Sequence, residues 1–261
     1  MCAVKSWCWK RGLGALFLPV LILACWELGS RAGVISPMFF PAPSRIALAL
    51  SGMATDGRLF KDLAATLYRV AVGLSIGVGL GLPLGLLMGW NPGVRALVDP
   101  MVGATHALPK IAIYPILMVL FGIGDGSRVA LVALGAFFPM LINSMTAVRQ
   151  IDPRYFEVAR SYGAHRNRIL SEVIWPGSLP LVLAGFRLAL NGALLLGIAA
   201  ELLTARQGLG GMIWMAWQTF RTEELFAALF VTGLLGVSFN GLTDLLVRIL
   251  VPWRIRAENG N

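Results

Sequence analysis

The sequence predicts an all-α, polytopic membrane protein with about six transmembrane helices. Three observations predict it. Hydrophobic residues make up 57% of the 261 and charged residues 13%, about half the charge of a typical soluble domain; mean hydropathy is +0.75. The apolar residues gather near 12–30, 64–90, 100–121, 128–148, 180–204 and 225–250, each close to the roughly 20 residues that cross a hydrocarbon core as a helix. The cations are shared unevenly between alternate loops.

That unevenness sets the orientation. With the N-terminus in the cytoplasm, Lys5, Lys10, Arg11, Arg95, Arg149, Arg154, Arg160, Arg166, Arg168, Arg248, Arg254 and Arg256 lie on the inner side. Arg31, Arg45, Arg58, Lys61, Arg128, Arg206 and Arg221 lie outside. An inner excess of Lys and Arg favours both termini in the cytoplasm. The formal net charge of +9 is therefore topogenic, with no separate nucleic-acid patch.

At the N-terminus, Lys10-Arg11 precede the first apolar run. Ile22-Leu23-Ala24-Cys25 loosely resembles a lipoprotein cleavage site, but Leu23 is bulky and no Ala-x-Ala follows, so an uncleaved anchor is expected. Cys2, Cys8 and Cys25 have neither zinc-site spacing nor the number of a disulfide framework. In the outer stretch that follows, Pro37, Pro41 and Pro43 make the start irregular. Ser44 is expected to cap a short helix through Leu50, with Ile46, Ala47 and Leu50 on one face, lying along the membrane surface.

In the second segment Gly73, Gly77, Gly81 and Gly85 recur every fourth residue, a small-residue face for close helix packing. The third carries Pro109-Lys110, where the helix is expected to break. Gly122-Ile123-Gly124-Asp125-Gly126 is glycine-rich, but no Lys-Ser/Thr follows, so it reads as a tight outer turn and not a phosphate loop.

The stretch between the fourth and fifth segments, about 149–179, is polar and arginine-bearing. Asp152 suits an N-cap and Pro153 the first helical position. A short helix from Pro153 to Tyr162 is expected, stopped by a left-handed Gly163. Helical spacing groups Tyr155, Val158, Ala159 and Tyr162 on one face. A second helix to Ile174 is expected to end at Pro176. The fifth segment contains Arg187 and Glu201, the last contains Asp244, and Arg69 lies within the second. Charges inside a bilayer face protein or water, so Lys110, Arg187 and Glu201 are candidates for the pathway or its gates; the plainer reading is pairing, capping or snorkelling. His106 and His165 lie on opposite sides of the fourth segment, and no metal cluster, Ser-His-Asp set or nucleotide loop is present in the sequence. No cofactor and no catalytic residue is expected.

The loop residues carry a resemblance. Glu157-Val158-Ala159, three residues, Gly163, nine residues, then Val173-Ile174-Trp175-Pro176 resembles the coupling loop of ABC importer permeases, whose pattern is Glu-Ala-Ala, three residues, Gly, nine residues, Ile-x-Leu-Pro. Val158, Val173 and Trp175 depart from that pattern but stay apolar. Further motifs look like the aliphatic-sulfonate, taurine and nitrate branch: Pro109-Lys110-Ile111-Ala112, Phe121-Gly122-Ile123-Gly124, Leu134-Gly135-Ala136-Phe137-Phe138-Pro139, Gly185-Phe186-Arg187, Ala200-Glu201 and Gly208-Leu209-Gly210. The likeness spans roughly residues 37–250. It implies one permease domain over residues 1–261 in a bacterial inner membrane. It implies a homodimer with a second permease copy, two cytoplasmic ATPase subunits on separate chains and an extracytoplasmic substrate-binding protein. It also implies an ATPase-coupling role for Tyr155, Glu157, Val158, Ala159, Tyr162, Gly163 and Pro176. Such permeases serve sulfonates, nitrate, bicarbonate, thiamine-precursor pyrimidines and other small solutes.

Two other classes fit the sequence less well. An ion-gradient transporter or channel calls for intramembrane carboxylates and inverted repeats; only Glu27, Glu201 and Asp244 qualify, and no repeat is visible. A membrane-embedded enzyme calls for convergent ligands at one depth, which the sequence does not supply.

Overall fold

The computed structural model describes residues 2–204 and 207–252, with side chains from Phe17 onward. The expectations for Cys2, Lys5, Cys8, Lys10 and Arg11 concern side chains outside that description, and Arg206, Arg254 and Arg256 lie outside the described residues. Among the described residues every regular element is a helix. In chain order they are α1 (Cys2–Arg31), α2 (Pro43–Thr55), α3 (Arg58–Trp90), α4 (Pro92–His106), a 3-10 turn (Lys110–Ile113), α5 (Tyr114–Phe121), α6 (Asp125–Arg149), α7 (Pro153–Ser161), α8 (Arg166–Ile169), a π turn (Leu170–Ile174), α9 (Trp175–Thr204), α10 (Leu209–Gln218) and α11 (Thr222–Leu250).

Four stretches are long and apolar enough to cross a membrane: α3, α6, the run Arg166–Thr204 and α11. Taken together, α4 and α5 are also long and apolar enough to cross, but they are bent by 89° at the break around Pro109. The third apolar segment is therefore two helices, as its Pro-Lys step predicts.

The core is a three-helix layer with α6 in the middle. The four predicted glycines of α3 are all buried and face α6. A Cβ on Gly77 would stand 2.5 Å from the Ala133 carbonyl oxygen, and one on Gly81 2.7 Å from that of Phe137. The seam runs on to Gly89, whose Cβ would stand 2.8 Å from the Met145 carbonyl. The two backbones touch, which hydrogen alone as a side chain permits. On the other flank Gly135 of α6 meets Gly192 of α9, where a Cβ on Gly192 would lie 2.6 Å from the Gly135 carbonyl. Val70, Val132, Ala136, Met140, Ala189, Leu190 and Ala193 fill the space between these seams.

Two expectations are corrected. Ser44 is not the cap of α2: Ala42 holds that position and Pro43 opens the helix. Proline's fixed φ places the start two residues earlier, with the cap at Ala42 instead of Ser44. That leaves Ser44 free to bind Glu27 of α1, its N–H donating to Oε2 at 3.0 Å and its hydroxyl to Oε1 at 2.7 Å. The helix then runs to Thr55 instead of Leu50, because Met53 adds a further buried side chain beside Leu59, Leu209 and Ala227. Pro176 does not end a helix either. It is the second residue of α9, directly after the π turn. A proline ring presses on the carbonyl four residues back and donates no hydrogen bond. The wider π turn over Leu170–Ile174 accommodates both, so the chain continues from α8 into α9.

Candidate functional site

Three places hold the residues predicted to matter. The first is the connection between α6 and α9. Asp152 caps α7, its Oδ1 accepting from the Arg154 N–H at 2.9 Å. The helix closes one residue earlier than predicted, with Tyr162 as the C-cap. Ala164 N–H donates to the Ala159 carbonyl at 3.0 Å and Gly163 N–H to Arg160 at 2.9 Å. Gly163 has φ +71°, the left-handed stop that glycine supplies without strain.

α7 is two-faced. Tyr155, Val158 and Tyr162 are 66%, 55% and 86% exposed. Ala159 departs from the predicted face: together with Phe156 and Ala164 it packs inward on Val148, Ile169 and Ile174. Spacing alone places Ala159 beside Val158; the tertiary packing decides which side it serves. Glu157 is exposed, and its carboxylate makes no salt bridge among the described residues. Tyr155 and Pro176 come together at an open cavity of about 750 Å³, shared with Asp152, Glu172, Val173 and Gly177. Arg166 lies over the Trp90 ring, 4.6 Å from its centroid, which ties the start of α8 to the end of α3. The ends of α3, α6 and α9 therefore all meet beneath α7.

The second place is the break between α4 and α5. Lys110 Nζ donates to the His106 carbonyl at 3.2 Å and lies 5.1 Å from the Phe138 ring centroid. It caps the last turn of α4, where a cation meets freed carbonyls, so the geometry favours a structural part. Lys110→Met is expected to destabilise the assembled protein by about 1 kcal/mol, with transport falling in step. Melting temperature and uptake measured on the same reconstituted sample check this; lost uptake at an unchanged melting temperature would return Lys110 to the pathway.

The third place is at the end opposite α7, where Glu201 is 0% exposed. Arg69 Nη1 donates to its Oε1 at 2.6 Å and to the Gln207 carbonyl at 2.7 Å. Thr66 donates to the same carboxylate at 2.9 Å, and Gly210 N–H at 3.0 Å. Arg69 Nε donates to Asp125, which also accepts from Arg128. Leu209 N–H donates to Thr66 Oγ1 and Gly208 N–H to Asp62. The first amides of α10 are thus held by side chains of α3 and α9. Gly208 has φ +109° and lies so close that a Cβ there would overlap the Glu201 carboxylate. This knot joins α3, α6, α9 and α10, so Glu201 is a sealed anchor. The sequence marks Arg69 as an intramembrane charge but not its partners Thr66, Asp125 and Arg128, whose only local signal is polarity near helix ends.

Arg187, the remaining predicted residue, sits in the half of α9 nearer α7. It pairs with Asp244 of α11, Nη1 to Oδ1 at 3.0 Å. Asn240, also of α11, accepts from Arg187 Nε at 3.0 Å. Each intramembrane carboxylate that an ion-coupled transporter would use is thereby engaged: Glu27 with Ser44 and Arg31, Glu201 with Arg69, and Asp244 with Arg187.

Comparison with known proteins concerns the chain as a whole. A family model described as binding-protein-dependent transport system inner membrane component matches residues 81–256. The chain is 36% identical over 250 residues to the putative aliphatic sulfonates transport permease protein SsuC of Bacillus subtilis (strain 168), covering 96% of this chain and 90% of that one. It is 32% identical to the taurine transport system permease protein TauC of Escherichia coli (strain K12), covering 90% and 87%. Among solved structures it superposes on a chain of the inward-facing MetNI methionine ABC transporter with a TM-score of 0.67 at 20% identity, covering 76% of this chain and 98% of that one; at that identity the likeness speaks for the fold.

Proposed function

We propose, from the premise that this chain belongs to the family of binding-protein-dependent transport system inner membrane components, that it moves a small organic anion of the sulfonate class. The chain is the multi-pass inner-membrane permease subunit of an ABC importer and is not itself an enzyme. ATPase and binding-protein partners belong to such an importer. The finer reading is a homodimer of two permease copies served by two ATPase subunits, with both termini and α7 on the cytoplasmic side.

The observation that carries the coupling assignment is the two-faced α7. Its outward face of Tyr155, Val158 and Tyr162 offers aromatic and apolar anchors of the kind that dominate protein interfaces. Glu157 adds an exposed carboxylate that makes no salt bridge among the described residues. The inward face is locked to α6, α8 and the π turn that leads into α9, and a cation–π interaction ties α8 to α3. A partner that displaces α7 therefore moves the ends of the three core helices together. The close glycine seams make those helices a rigid unit, so the displacement is transmitted and not absorbed. ATP binding and hydrolysis on the partner bias an equilibrium between inward- and outward-open arrangements through this surface.

The sulfonate class is supported by the named relatives SsuC and TauC and by the cationic Arg187 in an open position. Two substitutions test the coupling. A Cβ at Gly163 has nothing within 4 Å, so the effect of Gly163→Val is assigned to the left-handed backbone, which costs about 1–2 kcal/mol. Glu157→Lys reverses an exposed charge without touching the packed face. Both are expected to leave membrane insertion intact, abolish uptake and remove stimulation of the ATPase by the loaded binding protein. Normal uptake by both variants would refute a coupling role for this loop.

A further inference from the structure

α9 carries two arginine–carboxylate pairs of opposite character. At one end Glu201 and Arg69 are 0% and 3% exposed and enclosed on every side. Toward the other end Arg187 and Asp244 keep 43% and 53% of their side chains exposed. Both residues lie inside spans, where a charge turned toward hydrocarbon is costly. This face of the protein is therefore turned to water or to protein.

The chemistry of the open pair is specific. The guanidinium fork meets the Asp244 carboxylate with both terminal nitrogens, Nη1 to Oδ1 at 3.0 Å and Nη2 donating to Oδ2 at 3.3 Å. Its Nε edge is held separately, donating to Asn240 Oδ1 at 3.0 Å, and Asn191 Nδ2 donates to that same oxygen at 3.3 Å. Asn240 is in turn fixed by donating to the Gly236 carbonyl at 3.1 Å. The fork is thus aimed by two asparagines that do not depend on Asp244. A cavity of about 340 Å³ opens on the pair, walled by Leu183, Ala184, Leu188 and Val247. That space takes a short alkyl chain with an oxyanion head. Arginine's planar fork matches a two-oxygen face of either a carboxylate or a sulfonate.

Resting on the reading of an anionic, sulfonate-class cargo, we propose that Arg187 is the anion-selecting contact of the pathway and that Asp244 is an internal stand-in for the cargo. An arriving sulfonate takes the two terminal nitrogens of Arg187 and displaces Asp244. The ionic tie between α9 and α11 is then released at the inner half. The exchange keeps Arg187 paired throughout, and Asp244 returns to water instead of being left buried and uncompensated, which is the costly alternative. The sealed Arg69–Glu201 pair has no such exit and cannot exchange.

The test uses the assembled transporter in proteoliposomes with its loaded binding protein, and taurine and ethanesulfonate as probes. Arg187→Lys keeps the charge and the tie but loses the fork. It is expected to raise the KM for both sulfonates about tenfold with kcat and melting temperature little changed. The exchanged double variant, Arg187→Asp with Asp244→Arg, restores an ion pair across α9 and α11. Its melting temperature is expected to return to that of the unaltered protein while sulfonate uptake stays down by about tenfold or more. Uptake restored by the exchange, or an unchanged KM in Arg187→Lys, would reduce the pair to a structural tie and overturn the proposal while the cargo reading stands. Absence of sulfonate uptake by the unaltered transporter would overturn the cargo reading itself, and the proposal with it.

Discussion

Gly77→Val is expected to remove nearly all folded protein from the membrane extract. The first atom of the new side chain would lie 2.5 Å from the Ala133 carbonyl oxygen, 2.7 Å from the Ala136 Cβ and 3.0 Å from the Phe137 amide nitrogen. Two of these are backbone atoms of α6, which cannot rotate away. Relief requires α3 and α6 to separate, and separation opens the whole seam from Gly73 to Gly89. Overpacking a close core costs about 1–3 kcal/mol at an ordinary site, and here the loosened packing along the rest of the seam adds to that cost. Gly79, on the same helix, has nothing within 4 Å of its Cβ position. Gly79→Val is therefore the control for helix propensity and β-branching. Size-exclusion profiles of the two variants, with melting temperatures of what survives, decide the matter. Equal folded yields would mean that the close approach of α3 and α6 is not what holds the core.

Arg69→Met is expected to cost about 3–5 kcal/mol, since it leaves the enclosed Glu201 carboxylate without its cation. The same change frees the Gln207 carbonyl and takes one of two arginines from Asp125. Glu201→Gln is milder, because an amide still accepts from Thr66 and Gly210. The informative protein is the double variant. With neither charge present, it should be more stable than Arg69→Met alone, which a sum of the two single losses does not predict. Four melting temperatures complete the cycle, and simple additivity would mean that the two side chains are not coupled.

What is legible in the sequence is what neighbours along the chain determine. Glycines every fourth residue announce a packing face because helical periodicity is a local property. Asp152, Pro153 and Gly163 announce both ends of α7 because capping acts over one turn. Pro109 announces the break in the third span. The errors arise where local rules compete or where a distant partner decides. Ser44 is a good cap, but Pro43 fixes the start first. Pro176 is a good stop, but the π turn before it makes room. α4 and α10 are too short for a hydropathy signal of their own, and α10 is held by residues of α3 and α9. Ala159 shows the same limit, since spacing cannot say which side of a helix meets the protein. Pairing of Glu201 with Arg69 spans 132 residues, and that of Arg187 with Asp244 spans 57; no window of local sequence contains either pair.

The knot around Glu201 also imposes an order on biosynthesis. A ribosome delivers Arg69 with α3, then Asp125 and Arg128 with α6, and Glu201 only 132 residues after Arg69. At about 5–20 residues per second, that interval is on the order of ten seconds. Once Asp125 and Arg128 have been made, two arginines share that one carboxylate at the ends of helices already formed until Glu201 arrives. Those ends must stay hydrated, or sheltered by the insertion machinery, until α9 is threaded. The same late carboxylate then captures the first amides of α10. Completion of the core and placement of α10 thus both wait on a single acidic residue.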